Sequence, residues 1–278
     1  MPWRVDIGAK KGLKSIQIHT RFRSNALEAV KILAAGSLLI IAVVLLTGRI
    51  SYSWHWHRVP QYILEQTENG LKPGLLLQGL GVTLAISGIS VVFTFVIGLT
   101  TALFRLSNSI IANSIARIYL ELIRNTPLLI QIFFIYFVVS PILGMSRFTS
   151  AVIALSLFEG AYTSEIIRGS ILAIRRGQWE SAYSLGLSTA DTYRFVVLPQ
   201  AIRIIIPPLT SQGVSLIKDS ALVSTIAIFD LTMRGSAIVA ETFLTFEIWF
   251  TVAAIYLIVT AALSALAKAF EKRAKVAV

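Results

Sequence analysis

The chain has 278 residues, 55% of them hydrophobic and 14% charged, with a mean hydropathy of +0.75. Soluble domains carry about 25% charged residues, so the composition excludes an ordinary soluble fold and suits about six membrane helices of about 20 residues each. The absence of cysteine excludes disulfides, thiolate zinc sites and a cysteine nucleophile.

Residues 1–31 form a polar, basic leader with Arg4, Lys10, Lys11, Lys14, Arg21, Arg23 and Lys31. An apolar run from Ile32 to Leu46 follows. No small-residue cleavage site follows it in LTGRISYS, so it reads as an uncleaved first span rather than a signal peptide. Residues 49–78 are mixed and hydrophilic and read as a loop, with Trp54 and Trp56 at the membrane interface. His55 and His57 flank Trp56 without further metal ligands nearby, and no metal site is expected.

The second span is Gly79 to Phe104, uncharged and rich in small residues that let helices approach closely. The segment 105–127 includes the amphipathic stretch IARIYLELIRNTP, which Pro127 breaks or kinks. The third span runs from Leu128 to Leu143 and the fourth from about Phe148 to Ile167. A hydrophilic segment, Arg168 to Pro199, separates it from the fifth span, Gln200 to Ile217, which contains Pro207 and Pro208. Lys218 to Glu247 reads as an outer loop with a short helix near the surface. The sixth span is Ile248 to Leu266, followed by a basic tail with Lys268, Lys272, Arg273 and Lys275.

Charge placement orients this arrangement. With the amino terminus inside, the segments 1–31, 105–127, 168–199 and 268–278 hold 18 of the 25 basic residues. The outer segments hold 6 basic and 6 acidic residues and are near neutral. The net charge of +11 is therefore a positive-inside bias, and nucleic-acid binding by the basic leader is not needed to explain it. Both termini are expected in the cytoplasm.

The inner segment from Glu180 reads ESAYSLGLSTADTYRFVVLPQA. Trp179 to Leu185 suits a short amphipathic helix after a chain break at Arg176-Gly177-Gln178. Gly186 permits a left-handed turn at its end. Ser188 or Thr189 can cap a second turn through Tyr193. Pro199 marks the start of the next span. The result is a rigid helix–turn–helix on the cytoplasmic face. At the first turn of its helix, Glu180 is suited to interact with the helix dipole.

This segment resembles the EAA loop of ABC-importer permeases, E-A-A, three residues, Gly, nine residues, then I-x-L-P. Glu180-Ser181-Ala182, Gly186 and Val196-Val197-Leu198-Pro199 reproduce the spacing, with Ser181 for Ala and Val196 for Ile. ELIRNTPLLIQIFF, EGAYTSEIIRGSILAI, LPQAIRIIIPPL and LIKDSALVS resemble the polar amino-acid uptake branch, whose last motif more often reads K-D-T-S-L. The resemblance covers about residues 75–270. It implies an all-α type I importer core of five helices, to which the first span and its outer loop, 32–74, are an addition, leaving 271–278 as a tail. The coupling loop is 178–199, with Glu180, Ser181, Ala182, Gly186, Leu198 and Pro199 facing an ABC ATPase. The implied assembly has an ATPase dimer, a second permease subunit (identical or paralogous) and a periplasmic amino-acid-binding protein, in the bacterial inner membrane. ATP and Mg would be bound by the ATPase; this chain carries no Walker-type phosphate loop and is expected to be a non-catalytic subunit without a cofactor of its own.

For the substrate path, Glu159 lies about halfway along the fourth span. A charge there costs about 3 kcal/mol unless it faces protein or water. It is suited to pair with a substrate ammonium, and equally to be a buried structural carboxylate. Tyr162 and Thr163 follow within a turn and offer hydroxyls. Glu165 and Arg168 suit a local helix-end pair. Asn125 and Thr126 sit where Pro127 frees backbone groups, and they either line the path or stabilise a kink. Pro207-Pro208 is open to the same two readings. The competing class is an ion-coupled secondary transporter with Glu159 as its cation or proton site, for which the expected internal repeats are not evident. A membrane enzyme lacks a plausible acid/base or metal constellation.

Overall fold

The computed structural model describes residues 52–68 and 70–276, with side chains to 269, and the helical positions 31, 34, 36–38 and 41. The basic leader 1–31 and the expected first span 32–46 otherwise lie outside the described residues. The chain divides into two units, Met1–Trp54 and His55–Val278. The second unit holds every helix and strand from Trp56 onward.

Residues expected as a plain loop fold instead. A 3-10 turn, Trp56–Arg58, leads into a one-turn helix α1, Pro60–Ile63. A hairpin of β1, Leu64–Thr67, and β2, Gly70–Pro73, comes next in antiparallel register with Leu64 opposite Pro73. Its turn uses Gly70 at φ 108°, a conformation open to glycine. Glu247, placed in the outer loop by the sequence reading, is fully buried and accepts the backbone N–H of His55 at 2.7 Å. That bond satisfies a carboxylate that would otherwise be costly to enclose.

Helix α2, Leu75–Leu106, has 32 residues, about 48 Å at 1.5 Å per residue and more than enough to cross a bilayer. Its buried stripe is small and hydroxylic: Thr83, Ser87, Ser90, Thr94, Gly98 and Thr101. That spacing keeps one face toward α6, Arg147–Leu172, and lets the two backbones close together. The fit is reciprocal. A Cβ on Gly98 would stand 2.4 Å from Thr163 Cγ2, and one on Gly160 would stand 2.8 Å from Ile97 Cγ2.

Between them, α3, Ile110–Arg124, meets α4, Leu128–Phe133, at a bend of 106° after Pro127. A π-helical turn, Phe134–Val139, and α5, Ser140–Leu143, complete this arm, and Gly144 ends it at φ 64°. Beyond α6 come α7, Arg176–Ser184, and α8, Thr189–Asp191. A π-helical turn, Thr192–Val197, runs into α9, Leu198–Asp219. The chain closes with a 3-10 segment, Ser220–Ile226, then α10, Leu231–Thr242, and α11, Thr245–Val276.

Among the described residues, α2, α6 and α11 are long and apolar enough to cross a membrane, and two bent pairs bring the total to as many as five. These correspond to the second through sixth expected spans. The short helix expected within 218–247 is α10, and it is packed into the fold. Leu231 and Ile238 of α10 join Leu76, Leu244, Ile248 and Val252 in one apolar cluster. Asp230 caps α10 by accepting from Met233 N at 2.8 Å and is itself fully buried. Thr83 of α2 accepts the N–H of Leu231 at 3.1 Å. These contacts fasten α10 to α2.

Candidate functional site

The segment 173–199 is where local sequence signals and structure meet most closely. Helix α6 ends at Leu172, and Arg175 (φ −55°, ψ 134°) turns the chain into α7. The break therefore lies at 173–175, and Arg176-Gly177-Gln178, expected as the break, form the first turn of α7. An Arg176–Glu180 ion pair of 2.9 Å at i,i+4 spans that turn. It is highly exposed, so its contribution to stability is small.

Helix α7 ends as expected at Gly186, whose φ is 78°. Gly186 N–H donates to Tyr183 O at 3.0 Å and Leu187 N–H to Ala182 O at 3.2 Å. This paired pattern is a Schellman motif and satisfies the last carbonyls of the helix. Ser188 then caps α8, its Oγ accepting from Asp191 N at 3.2 Å. Pro199 is the second residue of α9, just after the π-helical turn that leads into it.

Two aromatic rings hold the hairpin of helices shut. Trp179 of α7 meets Tyr193 edge-on, with centroids 5.1 Å apart. Both pack against a buried cluster of Ala102, Ile167, Ile171, Ile174, Val197 and Ala201. That cluster joins the ends of α2 and α6 to the start of α9. Ala182 is 2% exposed, on the covered side of α7. Glu180, Ser181, Tyr183 and Leu185 face outward, Leu185 at 81%. Leu198 is 40% exposed and Pro199 is also exposed. The arrangement offers a rigid, mixed polar and apolar knob, bonded at its base to three long helices.

The expected path residues fall in three places. Glu159 is fully buried on α6, and Gln212 Nε2 of α9 donates to its Oε2. Asp219, at the end of α9, is a second acid in its neighbourhood. Glu159 thus ties α6 to α9. Thr163 is 2% exposed and lines a cavity of about 90 Å³ with Thr94, Gln212 and Leu216. Tyr162 faces the other way, into a cavity of about 420 Å³ that it shares with Arg105, Glu121, Arg124, Asn125 and Glu165.

At the α3–α4 bend, side chains take up the backbone groups that Pro127 frees. Gln131 Nε2 donates to Ile123 O at 2.7 Å and to Thr126 Oγ1 at 2.8 Å. Thr126 donates to Leu122 O at 2.9 Å, and Asn125 Nδ2 to Glu121 O at 2.8 Å. Thr126 belongs to the bend; it does not line the larger cavity, whereas Asn125 does both. Glu165 and Arg168 form the expected pair at 2.8 Å. Sequence reasoning misses Gln212, Gln131 and the approach of Arg105 to Glu165 at 3.8 Å. Gln131 is within its reach, as an amide in an apolar run just after a proline. The other two depend on which helices adjoin.

Comparison with known proteins places this architecture. The family described as binding-protein-dependent transport system inner membrane component matches residues 70–276. The glutamine transport system permease protein of Escherichia coli K12 is 40% identical over 205 residues, covering 73% of this chain and 94% of that protein. The L-cystine transport system permease protein of Bacillus subtilis 168 is 40% identical over 168 residues, covering 60% of this chain and 72% of that one. A crystal structure of an amino acid ABC transporter with histidines superposes with a TM-score of 0.68 at 39% identity, covering 72% of this chain and 94% of its own. The chain belongs to the family of inner membrane components of binding-protein-dependent transport systems.

Proposed function

We propose that the chain is the non-catalytic permease subunit of an ATP-driven amino acid importer and forms half of its translocation pathway. The observation that carries this reading is the knob at 176–199. It is exposed at its tip, closed by a Schellman turn and a serine cap, and anchored by Trp179 and Tyr193 to the ends of α2, α6 and α9. The amino acid cargo is supported by the relatives of known description.

In this reading the knob docks in a groove of a separate ATPase subunit, with Glu180, Ser181 and Gly186 at the contact and Leu198 and Pro199 at its root. Two ATPase subunits hold the ATP and Mg. A second permease, identical or paralogous, completes the pore, and an extracytoplasmic binding protein delivers substrate. The distribution of basic residues supports a cytoplasmic knob and cytoplasmic termini.

The mechanism follows from stiffness. When the ATPase dimer closes on ATP, the two knobs are drawn together as bodies. The load enters through Trp179 and Tyr193 into the cluster at Ile167, Ile171, Val197 and Ala201. Helices α6 and α9 receive it together, because Gln212 and Glu159 bond them deeper in the membrane. Glu159, Tyr162, Thr163 and Asn125 lie along α6 and its neighbour α3, where a changed tilt alters which cavity is open. Thr126, at the bend, would set the angle of that wall.

Copurification tests the docking. The chain, coexpressed with candidate ABC ATPase subunits, should retain one of them through affinity purification. Glu180→Lys together with Gly186→Val should lose it. Retention of full coupled ATP hydrolysis by the double variant would end this reading.

A further inference from the structure

The cavity of about 420 Å³ beside α6 is built almost wholly from polar and charged walls. Arg105 ends α2, Glu121, Arg124 and Asn125 end α3, and Tyr162 and Glu165 come from α6. Three elements that cross or enter the membrane thus gather two cations and two anions around one space. Charges on a spanning unit face water or protein rather than lipid.

The four charges are not equally committed. Glu165 is held by Arg168 at 2.8 Å, and Arg105 approaches it only to 3.8 Å. Glu121 accepts from Asn125 through one oxygen at 2.8 Å. Arg124 makes no ion pair within 4.0 Å among the described residues, though Glu165 lies within reach of its charge; its guanidinium lies 5.7 Å from the ring centre of Tyr162. An arginine resting on an aromatic face keeps its in-plane donors available for a carboxylate. The second oxygen of Glu121 is available to a cation.

We propose that this cavity is a binding site for the zwitterionic head of an α-amino acid, with Arg124 and Arg105 receiving its carboxylate and Glu121 its ammonium group. The proposal rests on the amino-acid importer reading and adds a residue-level site to it. Mixed charge is what selects this ligand class. An anionic lipid headgroup would be repelled by Glu121 and Glu165, and a purely cationic ligand by the two arginines. A free amino acid presents both signs a few ångströms apart, and the cavity volume leaves room for its side chain. Asn125 also links the site to the α3–α4 bend, so occupancy and the angle of that bend are coupled through one residue.

The test uses the whole complex, with ATPase and binding protein, in proteoliposomes and in nanodiscs. A panel of radiolabelled L-amino acids identifies one that the unaltered complex accumulates with ATP. Arg124→Gln and Glu121→Gln should each reduce accumulation of that amino acid at least tenfold. Both should leave ATPase copurification and thermal stability unchanged, and Arg124→Lys should recover part of the activity. In nanodiscs without binding protein, both Gln variants should lose direct binding of the same amino acid. Accumulation and binding within twofold of the unaltered complex would overturn the site while leaving the importer reading intact. Loss of a copurifying anionic lipid in Arg124→Gln, with amino acid binding retained, would also overturn it by making the cavity a headgroup site. Failure of the unaltered complex to accumulate any amino acid with ATP overturns both readings together.

Discussion

Gly98 offers a stringent test of how the two central helices are joined. Alanine at this position would place its Cβ 2.4 Å from Thr163 Cγ2 and 2.8 Å from Thr163 Cβ. Ordinary carbon contacts are about 3.5–4.0 Å, so the methyl is short of space by roughly 1 Å. Neither partner can yield cheaply. Thr163 is 2% exposed, and the reciprocal contact of Gly160 with Ile97 holds the same two backbones. Overpacking of this kind costs about 1–3 kcal/mol, and the upper half of that range is expected here. For a chain of this size such a loss lowers the melting midpoint by about 5–10 °C. Gly88, on the same helix, is the control, because a Cβ there meets nothing within 4 Å. Gly88→Ala should leave the midpoint level or raise it, as alanine is the better helix former by about 1 kcal/mol. Thr163→Ala should restore part of the loss in the Gly98→Ala background, giving a favourable coupling in a double-mutant cycle. Thermal unfolding followed by tryptophan fluorescence in nanodiscs reads the unaltered chain and the four variants. Equal midpoints for Gly98→Ala and Gly88→Ala would refute the close packing of α2 on α6.

Other expectations rest on single bonds. Thr83→Val removes the acceptor for the buried N–H of Leu231 and should destabilise by about 1–3 kcal/mol, measurable in the same thermal assay. Ser188→Ala removes the cap of α8 at a cost of about 1 kcal/mol; hydrogen exchange at the Asp191 amide should quicken while that of α2 is unchanged. At Gly186, φ 78° favours glycine, so Gly186→Val should lower coupled ATP hydrolysis at least tenfold while Gly186→Asn, which tolerates the left-handed region, retains much of it. For Glu159, substitution by Gln keeps a partner for Gln212, so folding should persist. Reduced uptake then assigns Glu159 to the path, and unchanged uptake across charged and neutral amino acids removes it.

The features legible in the sequence are local ones. Gly186, Ser188 and Pro199 each answer to backbone chemistry within four residues, and each stands as the spacing suggests. The long helices are legible because lipid demands continuous apolar runs. The break before α7 is misread at Arg176-Gly177-Gln178 because Gly177 looks like punctuation. Nothing in a first helical turn excludes glycine, and the turn is anchored just beyond it by the Trp179–Tyr193 contact. The segment 218–247 reads as an outer loop because Asp219, Asp230, Arg234 and Glu241 interrupt it, yet Asp230 and the adjoining Glu247 are buried. Asp230 accepts from a helix amide through one oxygen and Glu247 from a backbone N–H of residue 55, a partner 192 positions away. The same distance problem hides Gln212 against Glu159 and the convergence of Arg105, Glu121 and Arg124 on one cavity. Residue type marks these side chains as costly in a membrane, but only the adjoining helix shows what each one meets.

The central claim is that the knob at 176–199 passes the work of ATP to the spans. The most direct measurement is substrate accumulation by the reconstituted complex, comparing the unaltered chain with Gly186→Val at equal amounts of assembled permease and ATPase. ATP-dependent accumulation is expected in the first and its collapse in the second. Accumulation that persists without ATPase, or that Gly186→Val leaves at the unaltered level, would contradict the claim.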